Sequence, residues 1–201
     1  MDKVYVITEV ANLYKDSSFK SELVSQAFKN EKLSVLDKSN NWYKVKQWDN
    51  YISWINSFYV SQIDPNTKKN IDLHMFTEEK FLSICKEYLG TPYLWGGKSV
   101  YGCDCSGLVQ SVYKNFNLLL PRDSSDQINF EPFKEVDISN ISIADLLFFG
   151  KNKIINHVAI YIGNGEIIHS SGCVKIEKLK NNNNLMKKLQ KIKSPREIFD
   201  E

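Results

Sequence analysis

Two stretches of this chain concentrate its reactive side chains. In Asp104-Cys105-Ser106-Gly107 a thiol sits where a glycine-rich segment (Gly96, Gly97, Gly102) meets the start of an apolar helical pattern. A thiol at a helix N-terminus faces backbone N–H groups that lack intrahelical acceptors, and the positive end of the helix dipole. Both favour thiolate over a free thiol, whose pKa is about 8.5. The same amides can receive the oxyanion of a tetrahedral intermediate. A small, buried, inert cysteine is the ordinary alternative at such a position.

The chain has three histidines, His74, His157 and His169. His74 lies in a polar region and reads as exposed and idle. The other two flank one predicted hairpin that turns at Gly163-Asn164-Gly165. Register decides whether they cooperate. A two-residue loop at Asn164-Gly165 pairs Ile160 with His169 and sends the histidines to opposite faces. A three-residue loop pairs Ala159 with His169 and sets His157 diagonally beside it on one face. The three-residue loop is the expectation. His157 then takes the Cys105 proton and returns it to a leaving amine, while His169 bonds the other ring nitrogen of His157 and fixes its tautomer. Two unrelated strand histidines remain the alternative. Cys103-x-Cys105 with two histidines also supplies four zinc-type donors, but zinc sites usually space cysteines by two or more residues. No metal or cofactor is expected.

The elements that must position these groups fall into two blocks. Within the first sixty residues Val4–Ile7, Lys32–Leu36, Trp42–Val45 and Ile52–Ile55 read as strands, separated by polar turns. Their spacing suits a small barrel or sandwich. A polar stretch broken by Pro65 reads as a linker over 64–73. Beyond it Phe81, Ile84, Cys85 and Tyr88 recur at helical spacing until Gly90 and Pro92. Leu108, Val109, Val112, Tyr113 and Phe116 mark a second helix face. Strand candidates follow at Leu146–Phe149, Val158–Ile162 and Ile167–His169, and Asn181–Asn184 reads as a loop. Helices followed by antiparallel strands give an α+β domain. The hydrophobic fraction of 42%, charged fraction of 25% and net charge of +2 describe an ordinary globular protein with no nucleic-acid or membrane footprint. No apolar run is long enough for a secretory signal or a membrane span, so a cytoplasmic protein with reduced thiols is the expectation.

Pro92-Tyr93-Leu94-Trp95-Gly96-Gly97, Asp104-Cys105-Ser106-Gly107-Leu108, Leu120-Pro121-Arg122-Asp123-Ser124, Asp145-Leu146-Leu147-Phe148-Phe149, His157-Val158-Ala159-Ile160-Tyr161 and Ile168-His169-Ser170-Ser171-Gly172 follow one another along the chain. In this order they resemble the NlpC-type papain-like peptidases of bacterial cell-wall metabolism. Ala11-Asn12-Leu13-Tyr14, Asn41-Trp42-Tyr43-Lys44-Val45 and Trp54–Val60 resemble the bacterial SH3-like domain. Two departures stand out: Ile52-Ser53 replaces the usual glycine before tryptophan, and Cys103 takes a position normally held by a non-thiol residue.

The pairing is similar to a subgroup of γ-D-glutamyl-L-diamino-acid endopeptidases, which cut stem peptides bearing a free N-terminal L-Ala. The resemblance implies an SH3-like domain over 1–63 and a papain-like α+β peptidase domain over 74–201. It implies Cys105, His157 and His169 as the triad. It implies a dipeptide pocket lined by Tyr93, Asp104, Ser106 and Ser124, with Asp104 pairing the free ammonium. Tyr51, and less directly Asp49, are the candidates for a wall contributed by the first domain. The implied partner is a peptidoglycan stem peptide, L-Ala-γ-D-Glu-diamino acid, in wall-peptide recycling. A wall-binding module and a papain-like amidase or acyltransferase toxin on another substrate are the rival readings.

Overall fold

The computed structural model describes residues 2–65 and 75–199. Most of the predicted linker, and His74, lie outside the described residues. The N-terminal block forms strands β1 (Lys3–Val6), β2 (Val10–Tyr14), β3 (Leu23–Phe28), β4 (Lys32–Ser39), β5 (Trp42–Lys46), β6 (Ile52–Asn56) and β7 (Val60–Ser61). They pair antiparallel in the order β3-β2-β6-β5-β4-β1-β7, around a core of Val4, Val6, Leu13, Leu33, Val45 and Ile55. The four predicted strands are present, and β6 forms despite Ile52-Ser53. Strands β2 and β3 were not anticipated. In β3 the buried run Ser25-Gln26-Ala27 lacks polar–apolar alternation, because part of it faces the second block rather than solvent.

The second block begins with α1 (Glu78–Glu87), where Thr77 Oγ1 accepts the Lys80 N–H as an N-cap. Phe81, Ile84 and Cys85 form its buried face, and Gly90 at φ +81° lies just beyond its end. The short pair β8 (Lys98–Ser99) and β9 (Gly102–Cys103) leads into α2 (Cys105–Lys114), followed by α3 (Ser124–Gln127). Then come β10 (Lys134–Glu135), β11 (Leu146–Lys151), β12 (Ile154–Gly163), β13 (Glu166–Ser171), β14 (Cys173–Lys178), α4 (Asn183–Met186), β15 (Leu189–Ser194) and α5 (Arg196–Phe199). The larger sheet is antiparallel, in the order β10-β15-β11-β12-β13-β14. Helix α2 packs Leu108, Val109, Val112 and Tyr113 into one core with Phe148, Val158 and Ile160. Truncating Leu108 to Ala there should cost about 2–5 kcal/mol.

The asparagine run is more than a loop: Asn182 Oδ1 accepts the Leu185 N–H and caps α4. Strands β14 and β15 escaped the sequence reading because their exposed lysines mask a narrow apolar side.

The two blocks meet through polar contacts. Lys98 N–H donates to Gln26 Oε1 at 2.9 Å, and Gln110 Nε2 donates to Asp49 Oδ2 at 2.7 Å. The Lys98 side chain is buried between them over the Phe28 and Trp48 rings, and burial lowers its pKa to about 8. Gly96 approaches β3 so closely that a Cβ would lie 2.5 Å from the Leu23 carbonyl oxygen. This docking brings one edge of the first sheet over the start of α2.

Candidate active site

The hairpin carrying the histidines reaches the expected face by an unexpected route. Gly163 pairs with Glu166 around the two-residue turn Asn164-Gly165, all three turn-side residues from Gly163 to Gly165 having positive φ. One extra residue, Ile162, is then inserted, and the ladder continues as Tyr161 with Ile167 and Ile160 with Ile168. That register sets Ala159 opposite His169. The three-residue loop is therefore corrected to a two-residue turn plus a bulge. The bulge restores what the shorter turn alone would have lost, and both histidines share a face.

His157 Nε2 lies 2.8 Å from His169 Nδ1. His169 is buried, and its Nε2 lies 2.8 Å from Glu177 Oε2, off the straight N–H direction. A carboxylate accepts, so His169 holds its proton on Nε2 and offers Nδ1 as acceptor. His157 then donates through Nε2 and keeps its lone pair on Nδ1, the nitrogen left to act as a base. Glu177 was missed in the sequence. It stands on β14 opposite Ile167, two positions beyond the partner of His169, and Lys175 holds its other oxygen at 3.3 Å. Reading Gly172 as a tight turn between two strands would have revealed it.

Cys105 opens α2. The backbone N–H groups of Val158, which follows His157 directly, and of Ser106 favour its thiolate. Burial, and then the Asp104 carboxylate, nonetheless push its thiol up to about 11. Burial, and then His169, push His157 down to about 4. The helix-start argument for a resting thiolate is thus outweighed by desolvation. Both shifts favour the uncharged forms, a thiol and a neutral imidazole, and no hydrogen bond joins the two side chains among the described residues. The Cys105 N–H, first in α2, has no acceptor among the described residues and is available to an oxyanion.

A cleft of about 480 Å³ opens over Cys105. Tyr93, Asp104, Ser106 and Ser124 line it, and Tyr51 enters from the first sheet. The Tyr51 hydroxyl faces Asp123, and burial raises its pKa to about 12. Asp49 does not line the cleft. Its carboxylate is held by Gln110 Nε2 and the Tyr51 N–H, so it joins the blocks rather than meeting a ligand.

Asp104 also departs from its expected role. Its Oδ1 accepts from Gly107 N at 2.7 Å, Arg122 at 3.1 Å and Ser106 Oγ at 3.3 Å. Its Oδ2 accepts from Gly96 N at 2.8 Å and Arg122 at 2.6 Å. A carboxylate offers about four lone-pair sites, and these contacts fill them. The buried Arg122 guanidinium, rather than a substrate ammonium, balances its charge. Gly107 completes the arrangement, since a Cβ there would lie 2.0 Å from the Gly97 carbonyl oxygen. The cleft carboxylates with lone pairs to spare are Glu22 and Asp123. Glu22 is set by Trp95 Nε1 at 2.8 Å and by Lys15 at 3.5 Å. Neither Arg122 nor Glu22 was singled out from sequence, because each gains its meaning from a partner distant in the chain.

The family model for NlpC/P60 matches residues 90–193, more than half of the chain. This protein belongs to the NlpC/P60 family. A bacterial SH3 domain model matches residues 9–61, so the all-β first block and the α+β second block are those of an SH3-like domain and a papain-like NlpC/P60 domain. The chain is 33% identical over 174 residues to a γ-D-glutamyl-L-lysine dipeptidyl-peptidase of Bacillus cereus, covering 83% of this chain and 49% of that protein. A protein of the same name from Bacillus subtilis is 32% identical over 143 residues, covering 69% and 44%. This NlpC/P60 chain thus spans about half the length of these curated relatives. An NlpC/P60 family protein of known structure from Bacillus cereus superposes with a TM-score of 0.58 at 27% identity, covering 94% of this chain and 62% of that one. The NlpC/P60 domain of the peptidoglycan hydrolase SagA gives 0.52 at 28% identity, covering 59% and 99%.

Proposed function

We propose that this NlpC/P60 protein is a cysteine peptidase that hydrolyses the γ-D-Glu–diamino acid amide of peptidoglycan stem peptides carrying a free N-terminal L-Ala. The observation that carries the reading is Cys105 at the start of α2, in a cleft whose far wall is the SH3-like domain, with the linked side chains His157, His169 and Glu177 on the strands that follow. His157 Nδ1 takes the thiol proton as sulfur attacks the amide carbon, and the Cys105 N–H receives the oxyanion. The imidazolium gives that proton to the leaving nitrogen as the C–N bond breaks, leaving a thioester at Cys105. Water, deprotonated by His157, then cleaves the thioester and restores the thiol.

Glu22 and Asp123 supply the carboxylates suited to an α-ammonium, while the SH3-like wall limits how far a substrate extends beyond it. In intact wall the L-Ala amine is joined to sugar, so a substrate with a free amine is a released fragment. We place the reaction accordingly in recycling of such fragments in the cytoplasm. Lys15, Glu22, Val24, Tyr51 and Ile52 turn toward the cleft, which favours a substrate-gating role for the first domain over wall capture.

Incubation with L-Ala-γ-D-Glu-diaminopimelate should release the L-Ala-γ-D-Glu dipeptide, and Cys105→Ala should abolish the release. Absence of cleavage of this peptide by the unaltered protein would remove the proposal.

A further inference from the structure

Lys98 is the only buried lysine among the described residues, 1% exposed, and the chemistry at Cys105 makes no use of it. Hydrogen bonds engage its backbone N–H and carbonyl, with Gln26 Oε1 and Ser111 Oγ, whereas no acceptor meets its Nζ among the described residues. The Nζ rests over two rings instead, 5.9 Å from the centre of Phe28 and 5.7 Å from that of Trp48. Burial lowers its pKa to about 8 while Glu31 and Asp49 pull the other way, so it remains a cation at neutral pH. A buried cation is costly unless an acceptor pairs with it. The indole beside it has the same deficit, because Trp48 Nε1 is buried and has no acceptor.

Both rings line a cavity of about 550 Å³ between the two domains. Phe28, Glu31 and Trp48 face it from the SH3-like domain, and Tyr88, Lys114 and Leu119 face it from the peptidase domain. None of its lining residues lines the Cys105 cleft. Lys114 brings a second cation, its Nζ 4.3 Å from the centre of the Trp48 ring. The carboxylate on this wall, Glu31, is already engaged. Its Oε1 accepts from Gln47 Nε2 at 2.9 Å and its Oε2 from the Phe28 N–H at 3.3 Å. The unmet demand around the cavity is thus for an acceptor carrying negative charge, and the aromatic walls suit an apolar body.

We propose that this interdomain cavity is a second binding site, that it takes a carboxylate carried on an aryl or alkyl body, and that Lys98, Lys114 and the Trp48 indole N–H bind the carboxylate. A ligand there touches both domains at once, so it fastens the SH3-like domain to the peptidase domain from outside the Cys105 cleft. The apolar body lies against Phe28, Tyr88 and Leu119.

The probe is hydrocinnamate, with hydrocinnamamide as its uncharged counterpart, each titrated into the nitrogen-labelled full chain and followed by NMR. The chain has four tryptophans, and Trp48→Phe identifies the Trp48 indole N–H signal. Hydrocinnamate should move that signal downfield and saturably. It should bind about tenfold tighter than the amide, the low end for a hydrogen bond to a charged group. Lys98→Met should remove most of that advantage. Leu119→Asp places a like charge on the cavity wall and should weaken hydrocinnamate binding. Leu119 is 46% exposed, so this second variant does not depend on whether Lys98→Met folds. Absence of a saturable shift at Trp48, equal affinity for acid and amide, or acid binding that survives Leu119→Asp overturns the site. A saturable shift at Trp95, which lines the Cys105 cleft, with Trp48 unmoved overturns it as well.

Discussion

His157 Nε2 and His169 Nδ1 stand 2.8 Å apart, and His169 Nε2 in turn meets Glu177. The proposed base is therefore held by a second ring, which itself meets a half-buried carboxylate. Glu177 acts as a positioning residue for the pair, and its charge raises the pKa of His157 against the lowering by burial. Glu177→Gln keeps an acceptor oxygen but removes the charge, so the acid limb of kcat/KM should move to lower pH with a modest loss of rate. Glu177→Leu should lose the orientation as well and reduce kcat by about 10–100-fold, on the scale of positioning effects. A purely structural role would lower stability without moving the acid limb.

The resting pair of neutral thiol and neutral imidazole makes a second prediction. With His157 near 4 and Cys105 near 11, the enzyme's own groups leave kcat/KM flat across the neutral range. An alkaline limb should come from the substrate, whose α-ammonium titrates at about 7.7–8.0. A resting thiolate–imidazolium pair would instead show both limbs from the enzyme. A pH–rate profile with peptides of altered amine pKa separates the two.

The same depression bears on stability. The ordinary histidine value is 6.5, and in the folded protein His157 resists protonation until about 4. Between these values the unfolded chain binds the proton that the folded chain refuses. The contribution of His157 is thus fully present above 6.5 and is lost as pH falls toward 4. The slope of Tm against pH in that window should be shallower for His157→Asn than for the unaltered protein.

Asp104 and Arg122 form a two-pronged pair with side chains only 8% and 1% exposed. Removing either partner strands a buried charge, so Asp104→Ala or Arg122→Leu should cost about 3–5 kcal/mol in denaturant unfolding. Arg122→Lys keeps the charge but not the fork and should be clearly destabilising too. Unchanged stability in all three would contradict the assignment of this pair as the support of the Cys105 loop.

Recognition of the free amine is checked by blocking it. N-acetylation of the L-Ala should abolish cleavage, and Glu22→Gln should raise KM for the free-amine peptide by about fivefold, as expected for a partly exposed charge. Equal cleavage of blocked and free peptides would direct attention away from Glu22 and Asp123.

Much of this protein was legible in its linear order. The apolar period of Leu108, Val109 and Val112, set directly after Asp104-Cys105, identified a thiol at a helix start, because capping and helical periodicity are local properties. The alternation and β-branching of four strands identified the first block for the same reason. What the local pattern could not determine was anything settled by pairing across the fold. A single inserted residue, Ile162, decides which face His157 occupies, and a bulge has no signature in hydrophobic alternation. Asp104 fits an ammonium when considered alone, but it is filled by Arg122 once the chain brings them together. Glu177 joins His169 only through the register of β13 and β14. Cys105 itself is the sharpest case. Its neighbours in sequence favour a thiolate, whereas the burial that only tertiary packing creates pushes its thiol up and pushes His157 down.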